Sequence, residues 1–350
     1  PIIKNWQRIK KNSELKEKFF IREKVFDGIR SFFKNDGFHE VETPLMIKHP
    51  GTEPYLEVFE TELINDEQKR KQAFLLTSPE YAMKKLIAGG IGNIFQICKS
   101  FRNGEGLSEK HNPEFTILEW YRVNADYKDI MADFENLLWY LHTTIHQTED
   151  KLLTYQGKKY DISAPFIRMT VAEAFEKYIG IKKQDLLSAK KLKEVALDKG
   201  YQVNENTDWE GAYNQLFLNE IEPRLVELNR PVIIYDYPIS QAALSKRKKD
   251  DPGFAERFEV YLAGIELGNA FSELTDAVEQ KKRFEEELEL RKTLKKTEYS
   301  LDKDYINALE EGIPETGGIA VGVDRLIMLM ADVADINDTI FFPAHEVFSS

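Results

Sequence analysis

Phe115, Ile117, Glu119 and Tyr121 alternate along one apolar-rich stretch, and two arginines, Arg102 before it and Arg325 far beyond it, could face the same ligand. Ile94 to Arg102 reads as a strand, Asn103 to Asn112 as a polar loop, and Phe115 to Arg122 as the returning strand. Period-two geometry then puts the four alternating side chains on one face. A face carrying an aromatic ring, a carboxylate and a phenol is costly to bury unless a ligand satisfies its polar groups, so it reads as a pocket floor. Arg102, ending its strand before a loop, is placed to clamp a phosphate bidentately; the plainer reading is a surface ion pair. Phe115 offers a ring to a purine, or else packs in the core. Arg325 follows the stretch from Gly318 to Asp324 at the opening of a helix, with Asp324 as the candidate N-cap. The plainer reading of Arg325 there is a buried ion pair. The set predicts ATP held on an antiparallel sheet. No phosphate-gripping glycine loop accompanies it, since Gly89-Gly90-Ile91-Gly92 lacks the Lys-Ser/Thr ending and reads as a turn.

A second constellation lies in residues 254–275. Phe254 to Leu262 and Ile265 to Phe271 read as strands joined by Ala263-Gly264, which pairs Tyr261 with Glu266 and Glu259 with Gly268. Glu259 and Glu266 then share a face as diagonal neighbours, roughly 7 Å apart at Cβ. With triphosphate oxygens, two such carboxylates form the hard, oxygen-only site that Mg²⁺ prefers; otherwise they belong to a solvated charged face. His142 and His146 are four apart on a helical stretch but lack the Glu and third ligand of a zinc site. Lys246-Arg247-Lys248-Lys249 is expected to face Asp250-Asp251 in a solvated or gating loop rather than to bind nucleic acid.

The elements that must position these groups can be read coarsely. From Ser13 to Asp36, Leu15, Phe19, Phe26, Ile29 and Phe33 recur at helical spacing, Asn12 or Ser13 can cap, and Gly37 can take a left-handed stop. Residues 77–88 and 126–147 read as further helices, and 148–228 as a mainly helical insertion between two halves of one sheet. That order predicts an α+β fold on an antiparallel sheet flanked by helices. The chain has 350 residues, 42% hydrophobic and 31% charged, ordinary globular material with room for a large core. Its formal net charge of −12, from 60 acidic and 48 basic residues, opposes generic attraction to a polyanion, so stable tRNA binding is not expected. Cys98 is the only cysteine, which leaves no disulfide framework. No apolar run approaches the ~20 residues of a membrane span and no signal-like start is present, so a soluble cytoplasmic protein is expected.

These residues carry a family resemblance. Residues 101–122, with Phe101-Arg102-Asn103 and His111-Asn112-Pro113-Glu114-Phe115, resemble motif 2 of class II aminoacyl-tRNA synthetases. Residues 318–330 resemble motif 3, and residues 22–44, ending Phe38-His39-Glu40-Val41-Glu42-Thr43-Pro44, resemble motif 1, the dimer element. The wording His111-Asn112-Pro113-Glu114-Phe115-Thr116 and Glu256-Arg257-Phe258-Glu259 is similar to the lysyl branch, and the likeness runs from about residue 12 to about 343. It implies a single catalytic domain over 12–343 with the insertion at about 148–228, a homodimer, and ATP with Mg²⁺. Arg102 and Arg325 would be catalytic, meeting the α- and γ-phosphates. Asn103, Glu105, Asn112, Phe115, Glu266, Leu267 and Gly322 would complete the ATP site, with Phe115 on the adenine. Glu259 and Glu266 would hold the metal. Ser78, Pro79, Glu80, Glu119, Tyr121, Glu273 and Ala320 would hold the amino acid, Glu273 taking its side-chain ammonium.

Lysyl-tRNA synthetases carry an anticodon-binding domain before motif 1, and no room for one is expected here. Within the family, Thr77-Ser78-Pro79-Glu80-Tyr81, Glu119-Trp120-Tyr121-Arg122, Ser240-Gln241-Ala242-Ala243-Leu244-Ser245 and Ala320 in place of glycine resemble the ligases that attach (R)-β-lysine to elongation factor P. The Ala320 methyl would crowd an α-amino group while tolerating a β-amino group, a difference of ~1–3 kcal/mol. The loop 104–110 is longer than in those ligases, and Phe341-Phe342-Pro343 is closer to the tRNA enzymes. The alternatives are an α-lysine-activating enzyme with another acceptor, or a non-catalytic module.

Overall fold

The computed structural model describes residues 3–106, 108–204, 207–242 and 244–349; Leu107 of the 104–110 loop and Ala243 of the 240–245 phrase lie outside the described residues. The main sheet has eight strands: β1 (His39–Glu40), β2 (Ile94–Phe101), β3 (Glu114–Val123), β4 (Ile167–Thr170), β5 (Val232–Pro238), β6 (Phe254–Leu262), β7 (Ile265–Ser272) and β8 (Thr316–Gly322). Their spatial order is β1-β2-β3-β8-β7-β6-β5-β4. The six central strands are antiparallel as expected, whereas the edge pairs β1–β2 and β4–β5 run parallel. Six helices matter to the site: α1 (Ser13–Asn35), α2 (Glu80–Ala88), α3 (Tyr127–His146), α4 (Trp209–Leu216), α5 (Ala277–Thr293) and α6 (Val323–Ala331). The segment 148–228 is less helical than expected, because a hairpin over Leu152–Tyr155 and Lys158–Asp161 and the sheet strand β4 precede its helices.

One face of the sheet is greasy and the other polar. Leu118, Trp120, Phe258, Val260, Ala270, Ile319 and Val321 point back into a single cluster with α1, α3 and α6. Val25, Ile29 and Phe33 of α1 meet Phe134, Leu137 and Leu138 of α3 there, all essentially without exposure. Each such side chain contributes roughly 1.5–3 kcal/mol by leaving water, which fixes the sheet's back rigidly. Asn12, not Ser13, caps α1 by accepting from Leu15 N, and Gly37 takes the left-handed stop at φ +76°.

The β6–β7 hairpin departs from an even ladder. Ala263 and Gly264 both have positive φ (56° and 78°), as a two-residue primed turn requires, and Tyr261 pairs with Glu266 as expected. The register then shifts, so that Glu259 pairs with Asn269 rather than with Gly268. The extra residue in β7 is a bulge, and it puts Glu266 and Glu273, seven positions apart, on the same face. The basic run 246–249 does not pair with Asp250-Asp251: Lys246 reaches Glu315 (2.6 Å), Lys248 pairs with Asp236, and Asp251 is taken by Lys183. Among the described residues, no helix is long and apolar enough to cross a membrane.

Candidate active site

Two cavities of ≈ 240 Å³ each lie side by side on the polar face, and Arg102, Ile117, Asn269 and Ala320 line both. The first is an arginine-rich cleft. Arg102, Glu105, Asn112, Phe115, Glu266, Leu267, Gly322 and Arg325 line it; Asn103 does not, lying instead in a bridge with Glu57. The Arg102 guanidinium sits 5.3 Å from the Phe115 ring centroid, and its Nε is sealed from solvent without a hydrogen-bond partner. Arg325 is held by the Glu266 carbonyl (2.8 Å), with His111 Nε2 at 3.4 Å. Burial, then the Arg325 charge, lowers the His111 pKa, which favours a neutral ring beside that cation.

Three readings change at this cleft. Gly322, not Asp324, is the N-cap of α6; Asp324 turns into the core, pairing with Arg22 (2.5 Å) and accepting from Thr116 N (2.6 Å). That anchors the helix that presents Arg325. Asn112 has both ends of its amide engaged, accepting from Ala344 N (2.9 Å) and donating to the Glu114 carbonyl, so it braces the loop. Glu259 lines neither cavity: Arg257 (2.7 Å), Tyr237 (2.7 Å) and Tyr261 (2.5 Å) all donate to its carboxylate. Glu266, by contrast, makes no side-chain hydrogen bond among the described residues and has Arg325 as an ion-pair partner only at 3.8 Å; burial with the nearby Glu259 charge pushes its carboxyl up to about 7. Among the described residues no cluster of three metal-ligating side chains forms. Mg²⁺ nevertheless fits, because it keeps water and phosphate ligands and needs only one or two carboxylates from protein, and Glu266 has free oxygens in a site that disfavours its own charge.

The second cavity is lined with carboxylates. Ser78, Glu80, Glu119, Tyr121, Glu273 and Ala320 are all in its wall, while Pro79 faces a different cavity. Glu119 is wholly buried and accepts from Ser78 (2.5 Å) and Tyr121 (3.0 Å); burial, then the Glu80 charge, pushes it up to about 8. Glu273 is pushed up to about 7 by burial against the opposing pull of Lys84, whose ammonium lies 2.6 Å away. Both Glu273 oxygens still lack an aligned hydrogen bond. Lys84 is 1% exposed and shared between Glu273 and Glu80 (3.2 Å). A Cβ on Gly318 would lie 2.4 Å from the Tyr121 ring and 2.6 Å from Glu273, so the strand must carry glycine there. The surplus of buried carboxylates suits a ligand with two ammonium groups and opposes one with an acidic side chain.

Residue patterns did not single out Glu53, Arg257 or Asn269 as wall residues, nor Lys84 behind them. Arg257 and Asn269 were recoverable from alternation, once the bulge is known; Glu53 comes from a loop and gives no periodic signal. A larger cavity of ≈ 780 Å³ between residues 43–51, α2 and residues 300–304 has no arginine in its described wall and offers lysines instead, of which Lys85 is paired with Asp302 and Asp304, so it lacks the cleft's pair of guanidinium groups.

Comparison with known proteins agrees with this geometry. Residues 3–346 match the model of the family described as tRNA synthetases class II (D, K and N). The chain is 37% identical over 337 residues to a lysine–tRNA ligase of Moorella thermoacetica, covering 95% of this chain and 66% of that protein. It is 38% identical over 340 residues to the Magnetococcus marinus lysine–tRNA ligase, covering 95% and 64%, and 36% identical over 338 residues to that of Campylobacter jejuni with the same coverage. The chain thus spans a little under two thirds of the length of these relatives. With the family model matched across the arginine cleft, the carboxylate pocket and the sheet that carries both, this chain belongs to the class II tRNA synthetases of the D, K and N group.

Proposed function

We propose that the protein activates a lysine-type diamino acid with ATP as an aminoacyl-adenylate and passes it to an amine, with (R)-β-lysine as the amino acid and a lysine of elongation factor P as the acceptor. The observation that carries the reading is the junction of the two cavities. There Ala320, paired with Glu119 on one side and Asn269 on the other, puts a methyl between a phosphate-binding cleft and a pocket for ammonium groups.

The substrate carboxylate attacks the α-phosphorus of ATP and pyrophosphate leaves. Arg102 stabilises the charge developing there, Arg325 holds the γ-phosphate end, and Phe115 stacks on adenine. Mg²⁺, held by Glu266 with Glu259 behind it, would supply further neutralisation of the triphosphate. Acceptor amine then attacks the adenylate carbonyl and AMP departs with its oxygen. Positioning suffices, and no side-chain nucleophile is required.

The relatives' names favour a second reading, with α-lysine as the amino acid and tRNA as the acceptor. Intact-mass analysis separates the two: elongation factor P, incubated with the protein, ATP, Mg²⁺ and (R)-β-lysine, should gain one lysyl unit, and tRNA should stay uncharged. Efficient tRNA charging with no gain on the protein would reverse the assignment. Ala320→Gly should raise adenylation of α-lysine relative to β-lysine by roughly tenfold. An unmoved isomer ratio would make Ala320 a packing residue. The motif 1 likeness of residues 22–44 further supports a homodimer, with the same patch on both copies. Light scattering at micromolar concentration should give twice the chain mass; a stable monomer would reject it.

A further inference from the structure

We propose that Glu53 is a specificity-determining ligand for the substrate ammonium nearest the reacting carboxylate, with Gly51 and Arg291 as its positioning residues. The inference rests on the function proposed above and assigns the amino group that distinguishes one lysine isomer from another.

Glu53 lies in the wall of the carboxylate pocket, and its Oε2 is sealed from solvent with no hydrogen-bond partner. Around it the loop is pinned at nearly every residue. Tyr299 donates to the Gly51 carbonyl (2.6 Å), Thr52 donates to Glu287, and the fully buried Arg291 donates to the carbonyls of Glu53 (2.8 Å) and Leu56 (2.7 Å). Glu287 and Arg291 are successive inward positions of α5, so one helix holds both ends of the turn. A loop fixed this firmly, with one carboxylate oxygen of Glu53 sealed and without a partner, is organised to hold that side chain at the pocket wall.

Its neighbours say which end of the substrate it meets. Arg102, shared by both cavities, is among the charges acting on Glu53, together with Glu80 and Arg291. Glu273 instead answers to Lys84 and Glu80. Arg102 marks the nucleotide end, where the substrate carboxylate must lie to react. Glu53 therefore stands beside the first amino group, and Glu273 beside the distal one. Arg257, the other arginine in this wall, is engaged by Glu259 (2.7 Å), so it does not neutralise Glu53.

Gly51 gives a second handle. A Cβ there would lie 2.1 Å from Glu53 Oε2, at the far end of a flexible side chain, so Gly51→Ala displaces the carboxylate without removing it. Calorimetric titration of (R)-β-lysine, α-lysine and 6-aminohexanoate, without ATP, into wild type, Glu53→Gln and Gly51→Ala tests the assignment. 6-Aminohexanoate has the distal ammonium and lacks the first. Both variants are expected to lose at least ~10-fold in affinity for the preferred diamino acid and nothing for 6-aminohexanoate, with Glu53→Asp recovering part of the loss. Equal losses for all three ligands would reduce Glu53 to a structural residue, and no loss for the diamino acids would remove it from the site; both overturn the proposal while leaving the proposed function standing. A wild type that binds neither diamino acid would overturn the function and this assignment together.

Discussion

Glu273→Gln is expected to lower kcat/KM for the diamino acid by about 10²–10³-fold, measured by amino-acid-dependent pyrophosphate exchange. The carboxylate is 3% exposed, faces Lys84 at 2.6 Å and has no aligned hydrogen bond, so a ligand ammonium can use its remaining capacity. Truncating one side of a buried charge pair costs roughly 2–5 kcal/mol, which is the source of that factor. The same change leaves Lys84 with Glu80 alone at 3.2 Å, so the apo protein should also lose stability. The two effects separate by substrate: exchange supported by an amino acid lacking the distal ammonium should fall far less. A uniform loss across substrates would mean that Glu273 serves only the fold.

The second large effect is on pH dependence. Glu119 at about 8 and Glu266, Glu273 and Glu287 at about 7 all stand above the ordinary carboxylate value of 4.5, chiefly through burial. The folded state therefore holds protons that the unfolded chain has released, and the stability they contribute is complete below pH 4.5 and lost as pH rises through 7 to 8. Each retained proton is worth about 1.4 kcal/mol per pH unit. His111 and His146, lowered from 6.5, act in the opposite sense below that value, which leaves pH 6.5 to 8 as the clean window. The apo thermal midpoint should fall across that window by at least ~3 °C. A diamino acid should restore more of it at pH 8 than at pH 6.5, because its ammonium groups replace the lost protons. An apo midpoint that stays flat or climbs between pH 6.5 and 8 would contradict the carboxylate-rich pocket.

The fold was legible because its signals are periodic. Alternation over 115–121 placed Glu119 and Tyr121 on the floor, and helical spacing over 13–36 gave the helix behind it. Glu259 was misplaced by one pairing partner because a bulge shifts register without a residue type that announces it. Asp324 looked like a cap from its place before Arg325, yet Arg22, some three hundred residues earlier, draws it into the core. Glu53 and Lys84 were missed for a different reason. Glu53 sits in an aperiodic loop that only tertiary packing brings into the wall, and Lys84 lies on the buried side of α2, behind the wall carboxylates Glu80 and Glu273.

The bulge in β7 also makes the two cavities inseparable along the chain. A period-two strand is a phase code, and Glu266 and Glu273, at odd separation, are in phase only because one residue between them is out of count. Loss of that residue would not loosen the site by degrees. It would turn one carboxylate to the greasy back of the sheet while leaving the other in place, so that the arginine cleft and the carboxylate pocket could no longer share one strand. Side-chain changes in either wall leave this phase intact, but a change of one residue in length between Glu266 and Glu273 breaks it in a single step.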